Sequence, residues 1–175
     1  EQALRAGEIV HRVRGFVRKG GLVAVPVGIN TVVLDIVRFT EFEARAHGVS
    51  CVLELADPIP NVLADQVQLE QVLSNLVKNG IEAMSAIEGE RILTIITRPG
   101  EDGTVEVAVT DRGEGLAEAV QSAPFTPFVT TKPDGVGLGL AICRTIVENH
   151  GGRLWVDSST REGTTFCFCL PSLAG

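Results

Sequence analysis

Chemistry in this chain is concentrated in three short stretches whose residue types and spacing suggest what they could do. Within Gln71–Met84, a helix advancing about 100° per residue places Asn75, Lys78, Asn79 and Glu82 on one strip, and Val72, Leu76, Gly80 and Ala83 on another. An amide carbonyl is a neutral oxygen ligand suited to Mg²⁺, which keeps several waters and completes its shell with one or two protein groups and substrate phosphates. Asn79 is therefore the metal candidate, although the same strip also suits a solvated polar face. Gly80 costs about 1 kcal/mol relative to alanine inside a helix, so either another backbone approaches closely there or the helix tolerates a defect.

The second stretch, Asp111-Arg112-Gly113-Glu114-Gly115, comes directly after an apolar segment that reads as a strand. A carboxylate at a strand end accepts from the amino group of adenine and opposes the carbonyl of guanine. Gly113 and Gly115 would let backbone approach a base with no side chain between. The same string also suits a plain turn. In the third, Gly135-Val136-Gly137-Leu138-Gly139-Leu140 runs into an amphipathic helix, where unpaired N–H groups at the start can face phosphate oxygens. It matches neither the P-loop nor the dinucleotide-binding fingerprint. Pro124–Asp134 places Phe125, Phe128 and Lys132 beside it, as a mobile lid anchored by the rings with Lys132 reaching phosphate, or as a rigid surface loop.

These stretches need elements to hold them. Residues 1–19 carry Ala6, Ile9, Val13, Phe16 and Val17 on one helical stripe, and Gly20-Gly21 and Pro26 separate that segment from the rest of the chain. Asn30 is expected to cap a helix running to about His47, ended by Gly48. A strand is expected over 49–55, and Asp65 opens the helix of the two asparagines, which ends near Ala86. A hairpin of 91–97 and 104–110, with Val105, Val107 and Val109 on one face, leads into a loop over 111–134. A helix from Val136 to about Asn149 and strands near 153–158 and 164–170 complete the order. Two antiparallel hairpins alternating with helices favour a mixed, mainly antiparallel sheet with helices on one face, an α+β two-layer sandwich.

Composition narrows the partners. A chain of 175 residues with 45% hydrophobic content can bury a substantial core. A net charge of −7 disfavours nucleic acid and anionic membrane as partners. No apolar run approaches the roughly 20 residues of a membrane span, so the chain reads as cytosolic; beginning at Glu1, it also reads as a piece of a longer polypeptide whose membrane attachment stays open. Cys51, Cys143, Cys167 and Cys169 read as small buried hydrophobes in a reducing compartment, with a metal pair at Cys167 and Cys169 as the alternative.

Together these motifs resemble the catalytic ATP-binding domain of two-component sensor histidine kinases, in the larger group that includes gyrase and MutL. Asn75–Ala83 resembles the N box, Asp111–Gly115 the G1 box, Phe125–Lys132 the F box and Gly135–Leu140 the G2 box. The likeness covers most of the chain from about residue 25 to Pro171, including His150-Gly151-Gly152 and Gly163-Thr164-Thr165-Phe166. The short Thr-Thr-Lys lid and the opening residues are most similar to the nitrogen-fixation and nitrogen-regulation type.

The resemblance implies a Bergerat (GHKL) fold over 30–175, a linker over 21–29 and, over 1–20, the end of a dimerising phosphoacceptor hairpin. It implies ATP and Mg²⁺ as ligands, with Asn79 on the metal and Asn75, Asn79 and Lys132 in the chemistry. Asp111, Gly113, Gly115, Thr131, Lys132, Gly135, Gly137, Leu138, Gly139, Leu140 and Thr164 would surround the nucleotide. It further implies transfer of the γ-phosphate to a histidine on the dimerisation domain of the same or a partner chain, a homodimeric parent and a downstream response regulator. Related ATPases carry a water-activating glutamate one turn before the metal asparagine; Asn75 stands there, a poor general base, so hydrolysis should be slow. The chain departs from the pattern at Gly80, usually Ala or Ser, and offers no acceptor at His11, His47 or His150. A noncatalytic ATP-sensing or dimerisation module of the same fold is the alternative, and a water-using ATPase a third reading.

Overall fold

The structure is a computed structural model that describes residues 23–130 and 135–173. The helical segment expected over 1–19 lies outside the described residues, as do Thr131 and Lys132 of the expected lid.

In chain order the elements are β1 (Val25–Val27), α1 (Ile29–Ala46), β2 (Ser50–Leu55), β3 (Val62–Ala64), α2 (Gln66–Ala83), β4 (Ile92–Pro99), β5 (Thr104–Thr110), the short α3 (Glu118–Gln121), α4 (Gly139–Asn149), β6 (Arg153–Thr160) and β7 (Gly163–Pro171). Among the described residues, five strands form one sheet in the order β2-β4-β5-β7-β6, and β1 and β3 form a separate antiparallel ribbon. β2 pairs with β4 in parallel, and every other pairing of the larger sheet is antiparallel. This is the mixed sheet that the two expected hairpins require.

One face of the sheet is covered by α1, α2 and α4, with α2 packed between the other two. Strand alternation sets the division. Val105, Val107 and Val109 of β5 are buried toward the helices, as are Phe166, Phe168 and Leu170 of β7. From α2 come Leu69, Val72, Leu73, Leu76, Val77 and Ile81, a stripe at helical spacing. Each fully buried aliphatic or aromatic side chain of this kind contributes about 1.5–3 kcal/mol.

Several element boundaries differ from the sequence expectation for local reasons. The cap of α1 is Gly28, not Asn30. The Asn30 side chain turns inward, donating to the Ala56 carbonyl at 2.9 Å and accepting from Thr97 Oγ1 at 2.7 Å, which fastens α1 to the ends of β2 and β4. Asp65 does cap α2, accepting from the Gln68 N–H at 3.3 Å, but the helix stops at Ala83. The 111–134 loop contains the α3 turn, and the ribbon of β1 and β3 has no counterpart among the expected elements, since three-residue strands are too short to show alternation. The helix expected from Val136 begins only at Gly139. Gly137 has φ +69° and interrupts it, and a Cβ there would lie 2.7 Å from the Phe128 carbonyl carbon.

A histidine links the far ends of two helices. His150 sits just past α4, and its Nε2 accepts from the Asp65 N–H at 3.0 Å while Nδ1–H donates to the Ile146 carbonyl at 2.8 Å. Those two bonds define a neutral ring protonated on Nδ1, and they tie the end of α4 to the cap of α2.

Candidate functional site

Asp111 leaves the end of β5 into the interior, with 4% of its surface exposed. Its Oδ1 accepts from the Gly113 N–H at 2.8 Å and from the Thr164 N–H at 3.3 Å, while the Asp111 N–H donates to the Thr164 carbonyl at 3.0 Å. Burial raises the Asp111 carboxyl above the usual aspartate range, and the two backbone donors oppose the rise. The carboxylate is thus fixed in direction, with one oxygen engaged by the protein.

The space around it is shaped by missing side chains. A Cβ on Gly80 would lie 2.5 Å from Leu93 Cδ1 and 3.4 Å from Asp111 Cβ, so α2 passes directly over β4 and the end of β5. The close approach expected at Gly80 is therefore made by side chains, Leu93 above all, and not by another backbone. A Cβ on Gly113 would lie 2.8 Å from the Ala83 carbonyl oxygen and 2.8 Å from Asp111 Oδ1. Gly115, at φ +80°, passes the Thr160 carbonyl at the tip of β6. The Asp111 turn is therefore clasped between the last turn of α2 and the hairpin of β6 and β7.

The middle of α2 meets the glycine-rich loop. A Cβ on Gly139 would lie 3.9 Å from Asn75 Oδ1, which places Asn75 against the first turn of α4. Among the described residues no side chain caps that turn, so its leading N–H groups can serve an external acceptor. Asn75 and Asn79 are both half-buried on α2, one turn apart, as are Gly135, Gly137, Leu138, Gly139 and Leu140 on the loop. Leu138 and Leu140 pack on the core. From Asn75 to Ala83 is about 12 Å along the axis at 1.5 Å per residue, so one helix spans the Asp111 turn and the start of α4.

The Phe125 ring packs edge-to-face on Phe166 with centroids 6.4 Å apart, anchoring its end of the loop. Phe128 does not. It is 74% exposed, has φ +65° and is held by its backbone, whose N–H donates to the Gly137 carbonyl at 2.9 Å. The expectation of two anchoring rings is corrected to one.

A groove of about 630 Å³ lies on the sheet face away from the helices, lined by Arg98, Glu106, Arg153, Trp155, Cys169 and the turn between β4 and β5. None of the expected site residues borders it. Cys167 and Cys169 share that face, but no cluster of three or more His, Cys, Asp or Glu placed to hold a metal occurs among the described residues. All four cysteines are free, with Cys143 and Cys167 buried and Cys51 and Cys169 half-buried. No helix among the described residues is long and apolar enough to cross a membrane.

Sequence reasoning missed three contacts at this site: the Arg112 N–H donates to Met84 Sδ at 3.4 Å, Arg112 pairs with Glu90 at 3.1 Å, and the Cys143 thiol donates to the Val72 carbonyl at 3.8 Å. None carries a local sequence signal, since each joins segments far apart in the chain.

Comparison with known proteins agrees with this geometry. The profile of the histidine kinase-, DNA gyrase B-, and HSP90-like ATPase family matches residues 64–174. The sensor protein TdiS of Thauera aromatica is 44% identical over 95% of this chain and 31% of its own length. The sensor protein FixL of Bradyrhizobium diazoefficiens is 40% identical over 98% of this chain and 34% of its own. Full-length ShkA in complex with AMPPNP superposes with a TM-score of 0.82 at 26% identity, over 98% of this chain and 36% of that one. The chain thus spans about a third of the length of these curated relatives.

Proposed function

Because the chain belongs to the histidine kinase-, DNA gyrase B-, and HSP90-like ATPase family, in its sensor-histidine-kinase branch, we propose that it binds MgATP and donates the γ-phosphate to a histidine imidazole on the dimerisation segment of a two-component sensor kinase. The observation that carries this reading is the arrangement around α2. A buried, oriented carboxylate lies against the last turn of α2, and the start of α4, uncapped among the described residues, lies against the middle of the same helix at Asn75.

The residues present suit the groups the family implies. Asp111, with one oxygen held by Gly113 and Thr164, accepts from the exocyclic amino group of adenine and disfavours guanine. At Gly113 and Gly115 a Cβ would collide with the Ala83 and Thr160 carbonyl oxygens, so glycine lets the turn that orients Asp111 pack closely, with Gly113 and Gly115 bordering the nucleotide through their backbone. The leading N–H groups of α4 face the phosphates and lower the cost of their charge. Asn79 supplies a neutral oxygen to Mg²⁺, and that ion supplies neutralisation of phosphate charge when bound. By the family likeness Thr131 and Lys132 would contact the phosphates, and Thr164 holds the Asp111 turn. Asn75 occupies the position of a water-activating base yet takes no proton at neutral pH, so it leaves the phosphoryl group for a protein acceptor.

By the same reading, residues 1–20 end a phosphoacceptor hairpin, 21–29 link it to the catalytic domain of 30–175, and the parent is a cytoplasmic-facing homodimer serving a response regulator. Gly80 no longer favours the noncatalytic alternative, because close packing on Leu93 accounts for it. The test supplies the dimerisation hairpin of a relative in trans with γ-labelled ATP. Acid-labile, base-stable label on the hairpin histidine is expected, together with slow phosphate release by the chain alone. Rapid phosphate release with no label on histidine would contradict the assignment.

A further inference from the structure

Resting on that reading, we propose that Met84 is a positioning residue: its sulfur, by accepting the Arg112 N–H at the end of α2, holds in place the turn that aims the Asp111 carboxylate at the base.

Met84 closes α2 and is 0% exposed. Its backbone is fixed on both sides, the N–H donating to the Ile81 carbonyl at 3.3 Å and the carbonyl accepting from the Ile87 N–H at 3.2 Å. The thioether is thus rooted in a settled turn, and its Sδ meets the Arg112 N–H at 3.4 Å. Neighbouring positions make the same junction. A Cβ on Gly80 would lie 3.4 Å from Asp111 Cβ, and a Cβ on Gly113 would lie 2.9 Å from Ala83 Cβ. Residues 80, 83 and 84 share one helical face at spacings of three and four, so that face meets Asp111, Gly113 and Arg112. The second tie of Arg112 to this segment, its ion pair with Glu90 at 3.1 Å, is exposed on both sides and contributes little.

The two bonds to Asp111 Oδ1, from the Gly113 N–H and the Thr164 N–H, fix the carboxylate relative to its own turn and to β7. Neither refers it to α2, the helix that carries Asn79. Arg112 stands between Asp111 and Gly113 in the chain, so its bond to sulfur registers the whole turn on that helix. A thioether is a weak acceptor, yet here it answers a backbone donor beside a buried carboxylate. Taking away the sulfur while keeping the shape leaves the Arg112 N–H without that acceptor and lets the turn shift on α2. The place where Asp111 meets a base then becomes variable relative to the rest of the site.

Met84 is the chain's one methionine, so biosynthetic norleucine, with a methylene in place of sulfur, tests it with no other side chain of the 175 residues altered. In the ligand-free chain, hydrogen exchange of the Arg112 amide is expected to be faster with norleucine than with methionine. Preference for a nonhydrolysable ATP analogue over the GTP analogue, with Mg²⁺, is expected to fall about two- to tenfold, the loss of one hydrogen bond. Met84→Leu should behave like norleucine, and selenomethionine, which keeps an acceptor, like methionine. In an Asp111→Asn background norleucine should cost no further base preference. A packing role alone predicts that norleucine, of the same length and shape, matches methionine in exchange and in base preference. That result, or an undiminished loss in the Asp111→Asn background, overturns the proposal. Absence of analogue binding by the wild type would sink the nucleotide reading instead, and the Arg112 exchange would still decide whether the sulfur holds the turn.

Discussion

Replacing Asp111 with asparagine or with alanine separates what the carboxylate does for the fold from what it does for a ligand. In the folded chain Oδ1 satisfies two backbone donors, Gly113 N–H and Thr164 N–H, at a position with 4% exposure. Alanine leaves both unpaired, and each unsatisfied buried donor costs about 1–3 kcal/mol. Removing the buried charge returns part of that, because burial disfavours the carboxylate here, so a net loss of about 2–4 kcal/mol is expected. That is a large share of the roughly 5–15 kcal/mol that holds a domain together. Asparagine keeps an acceptor in place of Oδ1 and should change stability by less than about 1 kcal/mol. Urea unfolding without ligand measures both. If alanine is no more damaging than asparagine, the Asp111 turn is not held as described.

The same variants carry a pH signature. With its folded-state value raised, Asp111 holds its proton to a higher pH when folded than when unfolded. Its contribution to stability is therefore fully present below the unfolded value and is lost as pH rises through the raised folded value. The asparagine variant should lack that decline, seen as a wild-type-minus-variant difference in urea midpoint across the acid range. Recognition of adenine runs the opposite way, since it needs the ionised carboxylate: affinity should rise through the same window in wild type and stay low and flat in Asp111→Asn.

Three further outcomes are expected. Gly80→Ala gains about 1 kcal/mol of helix propensity but overpacks Leu93 Cδ1 by an amount that typically costs about 1–3 kcal/mol, and Leu93→Val should recover much of the loss in a double-mutant cycle measured by urea unfolding. His150→Ala strips partners from the Asp65 N–H and the Ile146 carbonyl and should cost about 1–3 kcal/mol, with glutamine restoring part of it; equal stability would mean that the link between α4 and α2 carries no energy. Iodoacetamide at neutral pH should spare Cys143 and Cys167, whose thiols are pushed up to about 12, and modify the half-buried Cys169 first, as peptide mapping of the native chain would report.

Legibility in the sequence depended on how local each signal was. The α2 stripe, the alternation of Val105, Val107 and Val109, and the Asp65 cap are set by residues within one or two turns of each other, and each has its counterpart in the structure. The close packing of Gly113 on the Ala83 carbonyl and of Gly137 on the Phe128 backbone was not legible, because the partners come from other parts of the chain. Asn30 was misread as a cap because its partners, Ala56 and Thr97, come from distant strands. The start of α4 was placed too early because the phenylalanine loop that bends Gly137 arrives from nine residues upstream and leaves no periodic trace. The Cys143 contact with Val72 was invisible for the same reason, as it exists only once α2 and α4 pack.

Whether the Asp111 turn and the start of α4 serve one nucleotide across α2 is decided by calorimetric titration of the chain with nonhydrolysable ATP and GTP analogues, with and without Mg²⁺, on wild type, Asn79→Ala and Asp111→Asn. If they do, wild type binds the adenine analogue in preference to the guanine one and binds it more tightly with Mg²⁺. Asn79→Ala then loses the metal dependence alone, and Asp111→Asn loses the base preference alone. Equal binding of both analogues by all three proteins, or none by a folded wild type, would contradict a shared nucleotide site.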